Sequence, residues 1–103
     1  MTLYNTTFAI DPELRDEFIA WLRDEFIPTA TADGEYFESA RLFTVDTRQP
    51  DSEALSLALQ METSEVDNIN LWYADHGSRL FDHIMNRWPG RAVFFSTTLT
   101  GVE

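Results

Sequence analysis

The stretch WYADHGSRLFDHIMNRW, Trp72–Trp88, holds both histidines of the chain, two of its three tryptophans and two of its seven arginines. Histidine titrates near neutral pH and is the commonest metal ligand, so His76 and His83 pose the first chemical question. A spacing of seven puts them on similar sides of a helix, about 10.5 Å apart along its axis. A metal ion held at roughly 2.1 Å by each ligand does not span that gap, so the two are not a chelating pair. Either one alone keeps the chemistry of an axial heme ligand. The plain alternative is an imidazole hydrogen-bonded near a helix break. Asp75, His76 and Ser78 have the residue types of a hydrolase triad. Helical neighbours one or two positions apart point in different directions, and the chain has no Gly-x-Ser-x-Gly turn, so a hydrolase is discounted.

A second candidate set is polar. Asn5 interrupts an alternating strand pattern, and a polar side chain there needs a hydrogen-bond partner. Arg41 and Gln60 are the residues able to form a polar patch with it. Such a patch reads either as groups satisfying one another at a subunit seam or as ligand recognition. Asn5-Thr6-Thr7 also fits a glycosylation sequon, which inside a strand and without a secretion signal reads as coincidence. Asp16, Glu17, Asp24 and Glu25 crowd one helix without calcium-loop spacing, so a solvated face is the reading. Trp21, Trp72 and Trp88 read as core. Trp72 and Tyr73 cannot both point fully inward, which leaves one of them to border a pocket.

Absences narrow the chemistry further. The 103 residues contain no cysteine and no lysine. Disulfides, thiolate metal sites, thiol nucleophiles and Schiff-base lysines are therefore out. A formal net charge of −11 repels phosphate backbones and anionic lipid, so neither nucleic acid nor membrane is an expected partner. The acidic, lysine-free surface also suits a protein of a salty cytoplasm. No apolar run reaches the roughly 20 residues of a bilayer span. The opening MTLYNTTFAID lacks the marks of a secretory signal, which makes the cytoplasm the expected location. With 44% hydrophobic and 14% aromatic residues, one packed domain over 1–103 is expected.

The elements that position these residues follow from periodicity. TLYNTTFAI alternates, with Tyr4, Thr6, Phe8 and Ile10 on one face and Leu3, Asn5, Thr7 and Ala9 on the other. Asp11 caps a helix with Pro12 at its first position, Leu14, Phe18, Trp21, Leu22 and Phe26 as its apolar stripe, and Pro28 as its end. Asp33-Gly34 marks a turn. YFESARLFTVD and ALSLALQMET are strands joined by TRQPDSE around Pro50. In the latter strand, Leu55, Leu57, Leu59 and Met61 oppose Ser56, Ala58 and Gln60. Ser64 caps a second helix that runs to about Trp88 and is bent or interrupted near Gly77. Pro89-Gly90 stops it, and RAVFFSTTLTGV is the last strand.

The order β-α-β-β-α-β predicts an α+β sandwich, a four-stranded antiparallel sheet with both helices on one face. The other face is then expected to carry Leu3, Asn5, Thr7, Ser56, Ala58, Gln60, Phe94, Ser96 and Thr98, with Phe37, Arg41, Phe43 and Val45 from the second strand. That surface is too apolar to stay wet, so a homodimer pressed sheet to sheet is expected.

LYNTTFAID, FIAWLRDEFIP, SARLFTV and WYADHGSRLFDHIMNRWPGRAVFFSTTL together resemble a family of short bacterial proteins of unknown function. That family is assigned to the dimeric α/β-barrel group, in which two ferredoxin-like sheets face each other. The resemblance spans nearly the whole chain and implies fold and dimerisation, with no catalytic residue to carry over. The wider group includes cofactor-free monooxygenases, isomerases and heme-degrading enzymes. The last use an Asn of the first strand with a Trp and a His near the second helix, types found here as Asn5, Trp72, His76 and His83. The match is one of residue types rather than of surrounding pattern. The reading is thus an uncharacterised dimeric barrel that binds a small apolar or aromatic molecule through some of Asn5, Arg41, Gln60, Trp72, His76 and His83. A cofactor-free or heme-degrading monooxygenase and a homodimer without ligand are the alternatives. The sequence calls for no metal and no cofactor.

Overall fold

Alternation in the first strand survives folding intact. In β1 (Thr2–Ile10), Thr2, Thr6, Phe8 and Ile10 are buried, while Leu3, Asn5, Thr7 and Ala9 are half-buried on the reverse face. β2 (Ser39–Thr44), β3 (Leu55–Thr63) and β4 (Ala92–Thr100) complete an antiparallel sheet in the order β2-β3-β1-β4. This is the ferredoxin-like α+β arrangement. It comes from a computed structural model that describes residues 1–45 and 54–102. The connector around Pro50 lies outside the described residues.

Both helices cover one face, and each contains a π-turn. The first helix spans 12–31: a 3-10 start at Pro12–Leu14, α-turns Arg15–Trp21, a π-turn Leu22–Phe26 and α-turns Ile27–Thr31. Its buried residues, Leu14, Phe18, Leu22, Phe26 and Ala30, recur every fourth position. In a regular α-helix four residues rotate by about 400°, so such a stripe drifts about 40° per step away from the sheet. The wider π-turn absorbs that drift and keeps the stripe facing inward. The second helix spans 67–87, with its π-turn at Tyr73–Gly77. There the inward residues Ile69, Trp72, Gly77, Phe81 and Ile84 include one step of five, and that step coincides with the π-turn.

Four expectations need correction. Pro28 does not end the first helix, because it follows the π-turn, within the first positions of the α-turns Ile27–Thr31, where a missing N–H is tolerated. Ser64 is not the cap of the second helix, which begins at Asp67. Instead the Thr63 hydroxyl accepts from the Glu65 N–H at 3.3 Å and from Asn68 Nδ2 at 3.2 Å. Phe37 precedes β2 and turns into the core with no exposure, so it is not part of the open face. Phe94, Ser96 and Thr98 belong to the helix side of the sheet, with Phe94 half-buried there. The β1–β4 register pairs Phe8 with Phe94 and Thr6 with Ser96, and directly paired residues share a face. Phe94 stacks on Phe81 at 4.6 Å, and the Thr6 and Ser96 hydroxyls satisfy each other at 2.9 Å.

Asp11 caps the first helix as expected, its Oδ1 accepting from the Glu13 N–H at 2.9 Å. Phe8, Phe18, Phe26, Leu57, Leu59, Met61, Trp72 and Ile84 form the centre of the core with essentially no exposure. Each contributes roughly 1.5–3 kcal/mol by leaving water. The molecule measures 38 × 33 × 18 Å, and the thinnest dimension fits one sheet plus one helix layer. Among the described residues, nothing therefore covers the reverse of the sheet.

Candidate functional site

On that bare face the strand registers align one residue from each strand into a row. Arg41 pairs with Gln60, Gln60 with Asn5, and Asn5 with Thr97. The polar patch expected from sequence is thus a continuous cross-strand line. Asn5 Nδ2 donates to the Thr7 hydroxyl at 3.4 Å, while its Oδ1 is buried without a hydrogen-bond partner among the described residues. An unpaired buried acceptor costs about 1–3 kcal/mol, so the row is incomplete as it stands. A shallow hollow of about 220 Å³ opens beside Arg41 and Gln60. Large apolar side chains flank the row: Phe43 (45% exposed), Val45 (39%), Val93 (59%), Phe95 (63%) and Leu99 (44%).

His76 and His83 occupy a different surface. They line a groove of about 620 Å³ between the two helices, on the side of the helix layer away from the sheet, together with Trp21, Glu25, Thr29, Arg79 and Leu80. The spacing of seven does place both histidines on one side, as expected. His83 lies nearly parallel to the Trp21 indole, with ring centroids 4.9 Å apart and planes 12° apart. Arg79 Nη2 donates to the Asp75 carbonyl at 2.7 Å and to His76 Nδ1 at 3.2 Å. Arginine only donates, so His76 accepts through Nδ1 and carries its proton on Nε2. Asp75 does not serve a triad. Its carboxylate accepts from the Tyr36 hydroxyl, and that bond, then burial, then the charges of Asp75 and Glu35, push the phenol up to about 12.

Trp72 belongs to neither surface. It is fully buried among Tyr4, Phe26, Phe37 and Phe81, its indole N–H unpartnered among the described residues, while Tyr73 is the one turned outward. A ligand on the surface therefore does not touch Trp72. The structure brings Asn5, Arg41 and Gln60 together, and His76 and His83 together, on opposite sides of the molecule. The trio of Asn5, Trp72 and a histidine does not converge. Arg79, Tyr36 and Thr29 escaped the sequence reading. Arg79 was within reach of it, since it lies three residues after His76 and four before His83 on one helical face.

A family model for a domain of unknown function, DUF4286, matches residues 1–102. The chain belongs to the DUF4286 family. No curated protein matches it in sequence. Among solved structures, this DUF4286 chain is similar to HapK from Hahella chejuensis, with a TM-score of 0.71, 10% identity, and 99% of this chain and 93% of that one covered. It is similar to a dimeric ferredoxin-like protein from an uncultured marine organism (TM-score 0.64, 12% identity, 99% and 95% covered). It is also similar to a monooxygenase of Streptomyces coelicolor in complex with nanaomycin D (TM-score 0.63, 13% identity, 99% and 89% covered). At these identities the likeness is one of fold: this chain shares the ferredoxin-like α+β arrangement with those proteins.

Proposed function

We propose that this chain works as a sheet-to-sheet homodimer that binds a small hydroxylated aromatic molecule at the seam. The row Arg41–Gln60–Asn5–Thr97, with its unsatisfied Asn5 Oδ1, carries the reading. Four strands of up to nine residues present a face of about 20 × 30 Å, so two copies bury on the order of 1,200 Å², the lower end of stable interfaces. The exposed Phe43, Val93, Phe95 and Leu99 supply the adhesive surface, and self-pairing by a two-fold axis needs no further partner. The similar protein described as dimeric and ferredoxin-like supports the same assembly.

Within the seam, a ligand hydroxyl donates to Asn5 Oδ1, Gln60 and Arg41 hold the polar end, and the aromatic side chains hold the ring. Sedimentation velocity is expected to give twice the 11.9 kDa chain mass, and Phe95→Asp to return it to the single-chain value. Fluorescence titration with 2-naphthol is expected to show saturable binding that Asn5→Ala weakens about tenfold, the worth of one good hydrogen bond. A monomeric wild type, or binding indifferent to Asn5, overturns the reading.

A cofactor-free oxygenase using the same seam is the second reading, supported by the fold shared with the Streptomyces monooxygenase. Oxygen uptake in the presence of a hydroquinone separates it from simple binding.

A further inference from the structure

The groove between the helices gathers an aromatic pair and an arginine on one surface. Both π-turns border it: Glu25 belongs to Leu22–Phe26 and His76 to Tyr73–Gly77. Such insertions recur at functional sites because they re-aim side chains that a regular helix points elsewhere. Trp21 and His83 form a stacked aromatic wall. Beside it, Arg79 is held in place by the Asp75 carbonyl and His76 Nδ1, yet pairs with no carboxylate among the described residues. In a chain of net charge −11, where Arg15, Arg87 and Arg91 have acidic partners, Arg79 keeps a cationic group open to a ligand beside this wall, and Arg23 and Arg41 likewise lack a carboxylate partner among the described residues. Asp75, four residues before Arg79 on the same helix, already accepts from the Tyr36 hydroxyl.

We propose that this groove is a second binding site, for a planar aromatic carboxylate. The ring lies against Trp21 and His83, with Leu80 completing the apolar wall, and the carboxylate is held by Arg79 and by the proton on His76 Nε2. Charge-assisted bonds of this kind are about twice as strong as neutral ones, and arginine recognises a planar carboxylate well. Glu25 and Thr29 on the facing helix orient the ligand. Glu25 repels the carboxylate and accepts from a hydroxyl at the opposite end of the ring. The site is independent of the sheet seam, because it lies on the other side of the helix layer.

The test is a titration of the full chain with 4-hydroxybenzoate, followed by the ring resonances of His76 and His83. Saturable shifts at both histidines are expected, with p-cresol, which lacks the carboxylate, at least tenfold weaker. Arg79→Gln, an exposed position whose loss spares the core, is expected to weaken 4-hydroxybenzoate by a similar factor. Arg15→Gln, an exposed arginine outside the groove, leaves it unchanged. Absence of saturable shifts into the millimolar range, equal binding of p-cresol, or indifference to Arg79→Gln overturns the proposal. Sensitivity to Arg41→Ala instead of Arg79→Gln also overturns it, assigning the ligand to the sheet seam.

Discussion

Gly77 is buried at the middle of the second helix because of one neighbour. A Cβ at this position would meet the Trp72 ring at 2.7 Å, and Trp72 is caged on its other sides by Phe26, Phe37 and Phe81. Alanine gains about 1 kcal/mol of helix propensity over glycine, while overpacking a rigid core costs about 1–3 kcal/mol. The clash wins, since the indole has nowhere to move. Gly77→Ala is expected to lower Tm by several degrees in a thermal melt, despite the helix-favouring exchange. Tyr36 gives a second prediction at this scale. Its folded pKa, about 12, lies above the ordinary tyrosine value of 10.0, so the neutral phenol bonded to Asp75 is the form that stabilises the fold. That contribution is complete below pH 10 and is lost as pH rises from there through about 12. Ultraviolet titration is expected to show one late-ionising tyrosine, absent in Tyr36→Phe, and the variant's stability is expected to fall less between neutral and alkaline pH.

β4 shows how one strand divides its labour. Its residues Ala92, Phe94, Ser96 and Thr98 face the helices, whereas the more apolar set Val93, Phe95 and Leu99 faces outward. A strand in a monomer is expected to do the reverse. Adjacent phenylalanines should therefore respond differently to truncation. Phe94→Ala, which removes the stack on Phe81, is expected to cost about 2–3 kcal/mol in urea denaturation at any protein concentration. Phe95→Ala is expected to leave single-chain stability nearly unchanged and to weaken self-association, read by dilution in sedimentation. Equal losses at the two positions would count against the bare face as a docking surface.

Across the whole molecule, charge sets the terms. Eighteen acidic residues face seven arginines, and the ion pairs present are exposed and individually weak. Self-repulsion of the compact state should therefore be large at low salt. Raising KCl from about 0.1 to 1 M shortens the screening length from about 10 to 3 Å, and Tm is expected to rise across that range. A flat or falling Tm in the same melts would mean that the acids are spaced widely enough not to interact.

Periodicity and turn chemistry in the chain were enough to reveal six elements in the right order, the inward faces of β1 and β3, the Asp11 cap and the helix irregularity at Gly77. Each is set by interactions within a few residues, which is the range over which a linear pattern carries information. The polar row was partly legible, since Asn5 needs a hydrogen-bond partner and Arg41 and Gln60 are the residues able to form a polar patch with it. Which face β4 turns to the helices was not legible, because its two alternating sets differ by a single register step and hydrophobicity alone points the wrong set inward. The π-turns were equally hidden, although the steps of four and five between buried residues recorded them once the facing sheet was known. Only the tertiary structure separated the candidate residues into a sheet-face row, a buried tryptophan and an outer groove. The reason is physical: chemistry between residues distant in sequence depends on which side of a packed layer each one occupies, and only packing decides that.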